Sequence, residues 1–169
     1  MEVVMFQQGE YIMYSYHGAC FIDEIKESTI DKETKLYYIM HPFNEKSKIM
    51  TPVDNDKVRM RPIMPAEKAE EVLRTVSCDN IFTITDRKKK DQFYTQILKD
   101  GNPMQLIKVI TSILIDEQEK IAAGKKMSTT DKRILDKAER LLYPELSLAL
   151  ETEVETIKER VTSLFQEVV

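Results

Sequence analysis

From Gly9 to Arg61 short apolar runs rich in aromatic and β-branched side chains alternate with polar, turn-forming steps. "EYIMYSY" breaks at His17-Gly18, "GACFIDEI" resumes after it, "KLYYIMHPF" follows "DKET", and "SKIMTPVDN" follows "NEK". Such runs predict four or five short strands with tight connections, forming a small antiparallel barrel or sheet. Pro42 and Pro52 fit strand ends or an edge, because proline brings no N–H to a central ladder.

After "RPIMP" the period changes to that of helices. Pro65 can open a helix that continues through "AEKAEEVLRTV", and "SCDNIFTITD" from Ser77 to Asp86 interrupts the periodicity as a loop. "RKKKDQFYTQILKD" then predicts a helix stopped by Gly101, with Asn102 as the next cap and Pro103 at the first helical position. Met104, Leu106, Ile107, Val109, Ile110, Ile113, Leu114 and Ile121 give that next helix an apolar stripe. Ser128 caps a fourth segment with Asp131 at its third helical position, and Ile134, Leu135, Ala138, Leu141 and Leu142 form its buried face. Pro144 is expected to end or kink this helix. A last helical pattern runs through Leu146, Leu150, Val154, Ile157, Val161, Leu164 and Phe165. The organisation is a β-rich domain over residues 1–62 and an all-helical domain of four or five helices over residues 65–169, without internal repeats.

Composition narrows the class. With 169 residues, 42% hydrophobic and 32% charged, the chain matches globular domains and not disordered ones. It carries no bilayer-length apolar run and no signal-peptide pattern at its start, and the expectation is a cytoplasmic protein without a membrane partner. Cys20 and Cys78 form no CxxC pair, so neither a disulfide framework nor a zinc site is signalled.

His17 and Cys20, in "YSYHGAC", raise the question of a nucleophile and its base. Residues three apart on a strand point to opposite faces, and one His/Cys pair is too few ligands for zinc. The alternative is a turn at His17-Gly18 followed by a small core thiol. The chain has no glycine-rich phosphate loop, GxSxG, HExxH or DxDxDG motif, and its four glycines offer few close approaches to a phosphate. The expectation is a protein that is not an enzyme and uses no cofactor or metal.

The net charge of -4 hides a lopsided distribution. Arg87, Lys88, Lys89 and Lys90 open a helix, where the dipole disfavours cations. Lys120, Lys125, Lys126, Lys132, Arg133, Lys137 and Arg140 form a second basic segment, whereas residues 145–169 are acidic. Charge pattern alone leaves two readings open, a solvated helix surface and a nucleic-acid contact.

The order of motifs resembles the CarD/CdnL family of bacterial transcription regulators. The start "FQQGEYIMYSYHGACFIDEI", the strand pair "STIDKETKLYYIM" and the proline-marked "IMTPVDN" are similar to the family's N-terminal domain. "LKDGN" and "MSTTDKRILDKAERLLYPELSLAL" are similar to its helical half, so the resemblance spans nearly the whole chain.

The resemblance implies an α+β protein in which a Tudor-like β-barrel that binds the RNA polymerase β subunit precedes a helical bundle that contacts promoter DNA during initiation. The chain is expected to be a monomer and to associate with the nucleoid through polymerase. The polymerase-facing edge maps onto Ser28, Thr29, Ile30 and Met50; well-known members place arginine where this chain has Ser28 and Met50. The DNA side maps onto Arg87, Lys88, Lys89 and Lys90, assisted by Lys125, Lys126, Lys132 and Arg133. Many members carry a tryptophan wedge at the start of the first basic helix. This chain has no tryptophan, and Arg87 falls at or near that position. Arginine can bind phosphates and enter a narrow minor groove but cannot act as an apolar wedge. The alternative is a polymerase-binding adaptor with little DNA contact. Phe93 and Tyr94 are assigned to the bundle core.

Overall fold

The structure, a computed structural model, describes residues 6–55 and 59–168, without the side chains of Tyr16 and of residues 165–168. The chain divides into two compact units, Met1–Ile63 and Met64–Val169.

The first unit is an antiparallel sheet of β1 (Tyr11–Tyr14), β2 (Gly18–Ile30), β3 (Glu33–Pro42), β4 (Ile49–Pro52) and β5 (Met60–Pro62), in the order β4-β3-β2-β1-β5. The expected closed barrel is not formed; the sheet is open. The two end strands are short and finish on Pro52 and Pro62, residues without the N–H that closure would use. Between β1 and β2, a 3₁₀ turn over Ser15–His17 ends at Gly18, whose φ of 74° glycine adopts without strain. β2 and β3 join through Asp31 and Lys32, both at positive φ (52° and 66°), as a two-residue type I′ hairpin requires. One face packs Phe6, Ile12, Tyr14, Cys20, Ile22, Tyr38 and Met40 into a core, with Tyr38 Oη accepting from the Phe6 N–H at 2.9 Å.

The second unit contains α1 (Ala66–Arg74), α2 (Arg87–Asp100), α3 (Pro103–Ala122), α4 (Thr129–Ala149) and α5 (Val154–Val168). Residues 77–86 carry no helix or strand. Gly101 ends α2 in the left-handed conformation at φ 69°, and the Asn102 side chain then accepts from the Met104 and Gln105 N–H groups at the start of α3. Ser128 accepts from the Asp131 N–H to cap α4. The core joins Val72 and Leu73, Ile97, Leu106 to Ile113, Ile134 to Leu146, and Ile157 and Val161.

Two expectations fail here, and a third fails in part. Of the two outcomes expected at Pro144, an end to the helix does not occur, because α4 runs through it to Ala149. Every residue from Leu141 to Ser147 is buried, and packing on both sides of the proline outweighs the one lost backbone bond. Ile121 is 63% exposed despite its place in the apolar stripe. Ile121 lies at the end of α3, where Ala122, Ala123 and Gly124 are exposed with it. Phe93 lies outside the core that holds its neighbour Tyr94. The Phe165 side chain falls outside the described residues.

Candidate functional site

The first turn of α2 places Arg87, Lys88 and Lys89 on the surface. A helix N-terminus repels cations, and Asp86 offsets this by accepting the Lys89 N–H through Oδ1 at 3.1 Å. Lys90 behaves differently. Its Nζ lies 3.3 Å from Oδ2 of Asp131, and its side chain is only 19% exposed. Asp131 is buried and also faces Lys120 Nζ at 3.6 Å, while Lys120 meets Asp116 at 3.0 Å. The Asp116 hydrogen bond, assisted by Asp131 and partly opposed by burial, holds the Lys120 amine above its ordinary pKa.

Asp131 therefore joins three basic segments that are distant in sequence. Lys90 brings the α2 run, and Lys120 brings the end of α3 with exposed Lys125 and Lys126, the Lys125 N–H donating to the Lys120 carbonyl at 2.7 Å. Asp131 itself precedes exposed Lys132 and Arg133, which share an exposed face of α4 with Thr129, Asp136, Lys137 and Arg140. Seven of the eight residues assigned to DNA are exposed, and the eighth, Lys90, is held by Asp131.

On the sheet, residues 24–30 of β2 pair only with β3 among the described residues. Ser28 and Ile30 share a face with Met50, because Met50 and Glu24 both pair with Ile39 and β2 alternates by two. Thr29 points to the other face, with its Oγ1 2.7 Å from that of Thr34. Ile30 and Met50 are 47% and 44% exposed, large apolar side chains with little cover. They are not neighbours: β3 lies between their strands, and Met50 is level with Glu24.

His17 and Cys20 form no pair. Cys20 is buried in the sheet core, where desolvation, with a smaller effect of Glu45, pushes its thiol up to about 12. His17 is exposed and stacks on Tyr14 with centroids 5.3 Å apart. Sequence reasoning missed a different polar cluster, in which Asp23 takes His41 Nδ1 at 2.8 and 2.9 Å and Lys48 Nζ at 3.1 Å. It also read Asp131 as a capping residue alone. Its ion-pair partner Lys90 is 41 positions away, and no local pattern announces such a pairing.

Among the described residues no group of His, Cys, Asp or Glu could hold a metal ion, and no helix is long and apolar enough to cross a membrane. An antiparallel sheet followed by a unit of five helices is an α+β architecture. Residues 6–64 match the CarD-like/TRCF RID domain, and residues 69–162 match the CarD C-terminal domain. The chain belongs to the CarD family of transcription regulators, whose members interact with RNA polymerase. It is 23% identical over 145 residues to a Bacillus subtilis (strain 168) protein named "Putative transcription factor YdeB", covering 85% of this chain and 92% of the relative.

Proposed function

We propose that this transcription regulator docks on the RNA polymerase β subunit through its open sheet and contacts promoter DNA through the basic surface around Asp131, modulating open-complex formation. The gathering of three basic segments around one buried carboxylate carries the DNA reading. Isolated charge runs on separate helix faces would be ordinary solvated surface, whereas convergent cations can neutralise adjacent phosphates. The free edge of β2 and the apolar exposure of Ile30 and Met50 support the polymerase reading, since an edge strand gains affinity from main-chain bonds that tolerate side-chain change.

Promoter-duplex titration across a salt series tests the DNA half. Each lost phosphate contact removes about 0.9 from the log–log slope, so replacing Arg87, Lys88 and Lys89 together by alanine is expected to lower it by up to ~2.7. An unchanged slope would overturn the DNA contact. If polymerase still retained the protein in a pull-down, the adaptor reading would replace it.

A further inference from the structure

Residues 81–85 form one wall of a cleft of about 330 Å³ in the helical unit, and its other walls come from α2, α3 and the start of α4. That volume suits a small molecule. Ile84, Ile113 and Ile115 make its aliphatic part, and its charged part sets Asp116, Glu119 and Asp131 against one ammonium group, that of Lys90.

Acidic residues grouped on a surface are ordinarily solvated. Asp131 differs because its side chain is only 4% exposed. Lys90 and Lys120 both approach its Oδ2, at 3.3 and 3.6 Å, and its Oδ1 accepts no hydrogen bond among the described residues. A buried carboxylate oxygen calls for a donor, and the groups beside it cannot serve. Asp116 is close enough to share Lys120 with Asp131, and Glu119, three residues further along α3, has no ion pair among the described residues.

This excess of acceptors selects a cation. No group of His, Cys, Asp or Glu among the described residues could hold a metal ion, so the cation is organic. An alkyl ammonium brings N–H donors for carboxylates and methylene groups for isoleucine surface. Carboxylates on two helices suit a molecule with more than one nitrogen.

We propose that this cleft binds a small aliphatic polyamine, one ammonium group donating to Asp131 Oδ1 and another to Glu119, with the methylene chain against Ile84, Ile113 and Ile115. The site rests on neither the DNA contact nor the polymerase contact.

Isothermal titration calorimetry of the full chain with putrescine, a diamine, at two temperatures and physiological salt tests the site. Saturable binding of one equivalent is expected, with butylamine, which lacks the second nitrogen, binding about tenfold more weakly. Glu119 and Thr85 are exposed, so both can be changed without disturbing the core. Glu119→Gln is expected to weaken putrescine binding about fivefold, and Thr85→Lys, which tethers a competing ammonium beside the cleft, about tenfold. Glu159→Gln removes an exposed acid of α5 that does not line the cleft, and is expected to stay within about twofold of the unaltered chain. Magnesium chloride at the putrescine concentration is expected to leave the affinity within about twofold. Absence of saturable binding overturns the site, and so does affinity unchanged in both Glu119→Gln and Thr85→Lys. Equal losses in Glu119→Gln and Glu159→Gln, or displacement of putrescine by magnesium, overturn it as well, because each reduces the attraction to general surface charge.

Discussion

Lys90 of α2 and Asp131 of α4 meet at 3.3 Å, joining the fourth residue of one helix to the third of another. The pair divides the "RKKK" run into two kinds of lysine. Removing Lys90 leaves a buried carboxylate short of a partner, and breaking such a pair ordinarily costs 3–5 kcal/mol. Lys120 remains 3.6 Å away, so the expected cost of Lys90→Ala is about 1–3 kcal/mol in urea unfolding. Lys88→Ala and Lys89→Ala are expected to leave stability within ~0.5 kcal/mol while each lowers the DNA salt slope by up to about 0.9. Lys90→Ala with unchanged stability and a slope reduced like that of Lys88→Ala would show that Lys90 is a phosphate contact after all.

Thr29 occupies the free edge of β2 with its main chain. Ile30 and Glu33 flank the two-residue turn and form a hydrogen-bonded pair, so the next pair, Thr29 and Thr34, directs its N–H and C=O groups outward. The 2.7 Å approach of the two hydroxyls fits the closer spacing of a non-hydrogen-bonded pair. Thr29→Pro removes one outward donor and leaves the inner ladder intact. It is expected to weaken retention of the protein by the polymerase β subunit about tenfold, whereas Thr29→Val keeps it. Equal retention of both variants would place the polymerase contact elsewhere than on this edge.

Features fixed by a few adjacent residues were legible in the sequence. Asn102-Pro103 and Ser128 announce helix starts, and Gly101 announces a stop, because capping is a bond between near neighbours. Features set by distant chain were not. Phe93 and Tyr94 are adjacent, and only the packing of other segments decides that one is exposed and the other buried. Pro144 reads as a breaker until the burial of both its flanks is known. The basic segments were visible one by one; their meeting at Asp131 depends on how α2, α3 and α4 pack.

Glu145 gives a prediction for the second unit. It is buried in α4, and its Oε2 accepts the N–H of Met64, the first residue of that unit, at 2.9 Å. Glu145→Ala strands a buried donor, with an expected loss of about 1–3 kcal/mol in chemical denaturation. Glu145→Gln retains an acceptor oxygen and is expected to lose less. Equal losses would show that the charge of Glu145, and not its acceptor oxygen, supports the entry of the chain into the helices.

Asp23 predicts a pH dependence for the first unit. The β2–β3 register shifts between Ile22 and Glu24, leaving Asp23 as the unmatched residue of a bulge. Its carboxylate takes Nδ1–H of His41 and an ammonium proton of Lys48. The His41 bond is the main reason that the carboxyl sits below its ordinary value of 3.8, with partial burial opposing and Lys48 assisting. Because the folded value is the lower one, folding releases a proton, and the stabilisation is fully present above the unfolded value. It fades as pH falls through the ordinary carboxylate range and is gone below the folded value. Urea unfolding of the unaltered chain and of Asp23→Asn, from neutral pH down to about pH 3, is expected to show a gap that narrows on acidification. A gap of constant size over that range would mean that Asp23 contributes through its shape in the bulge and not through its charge.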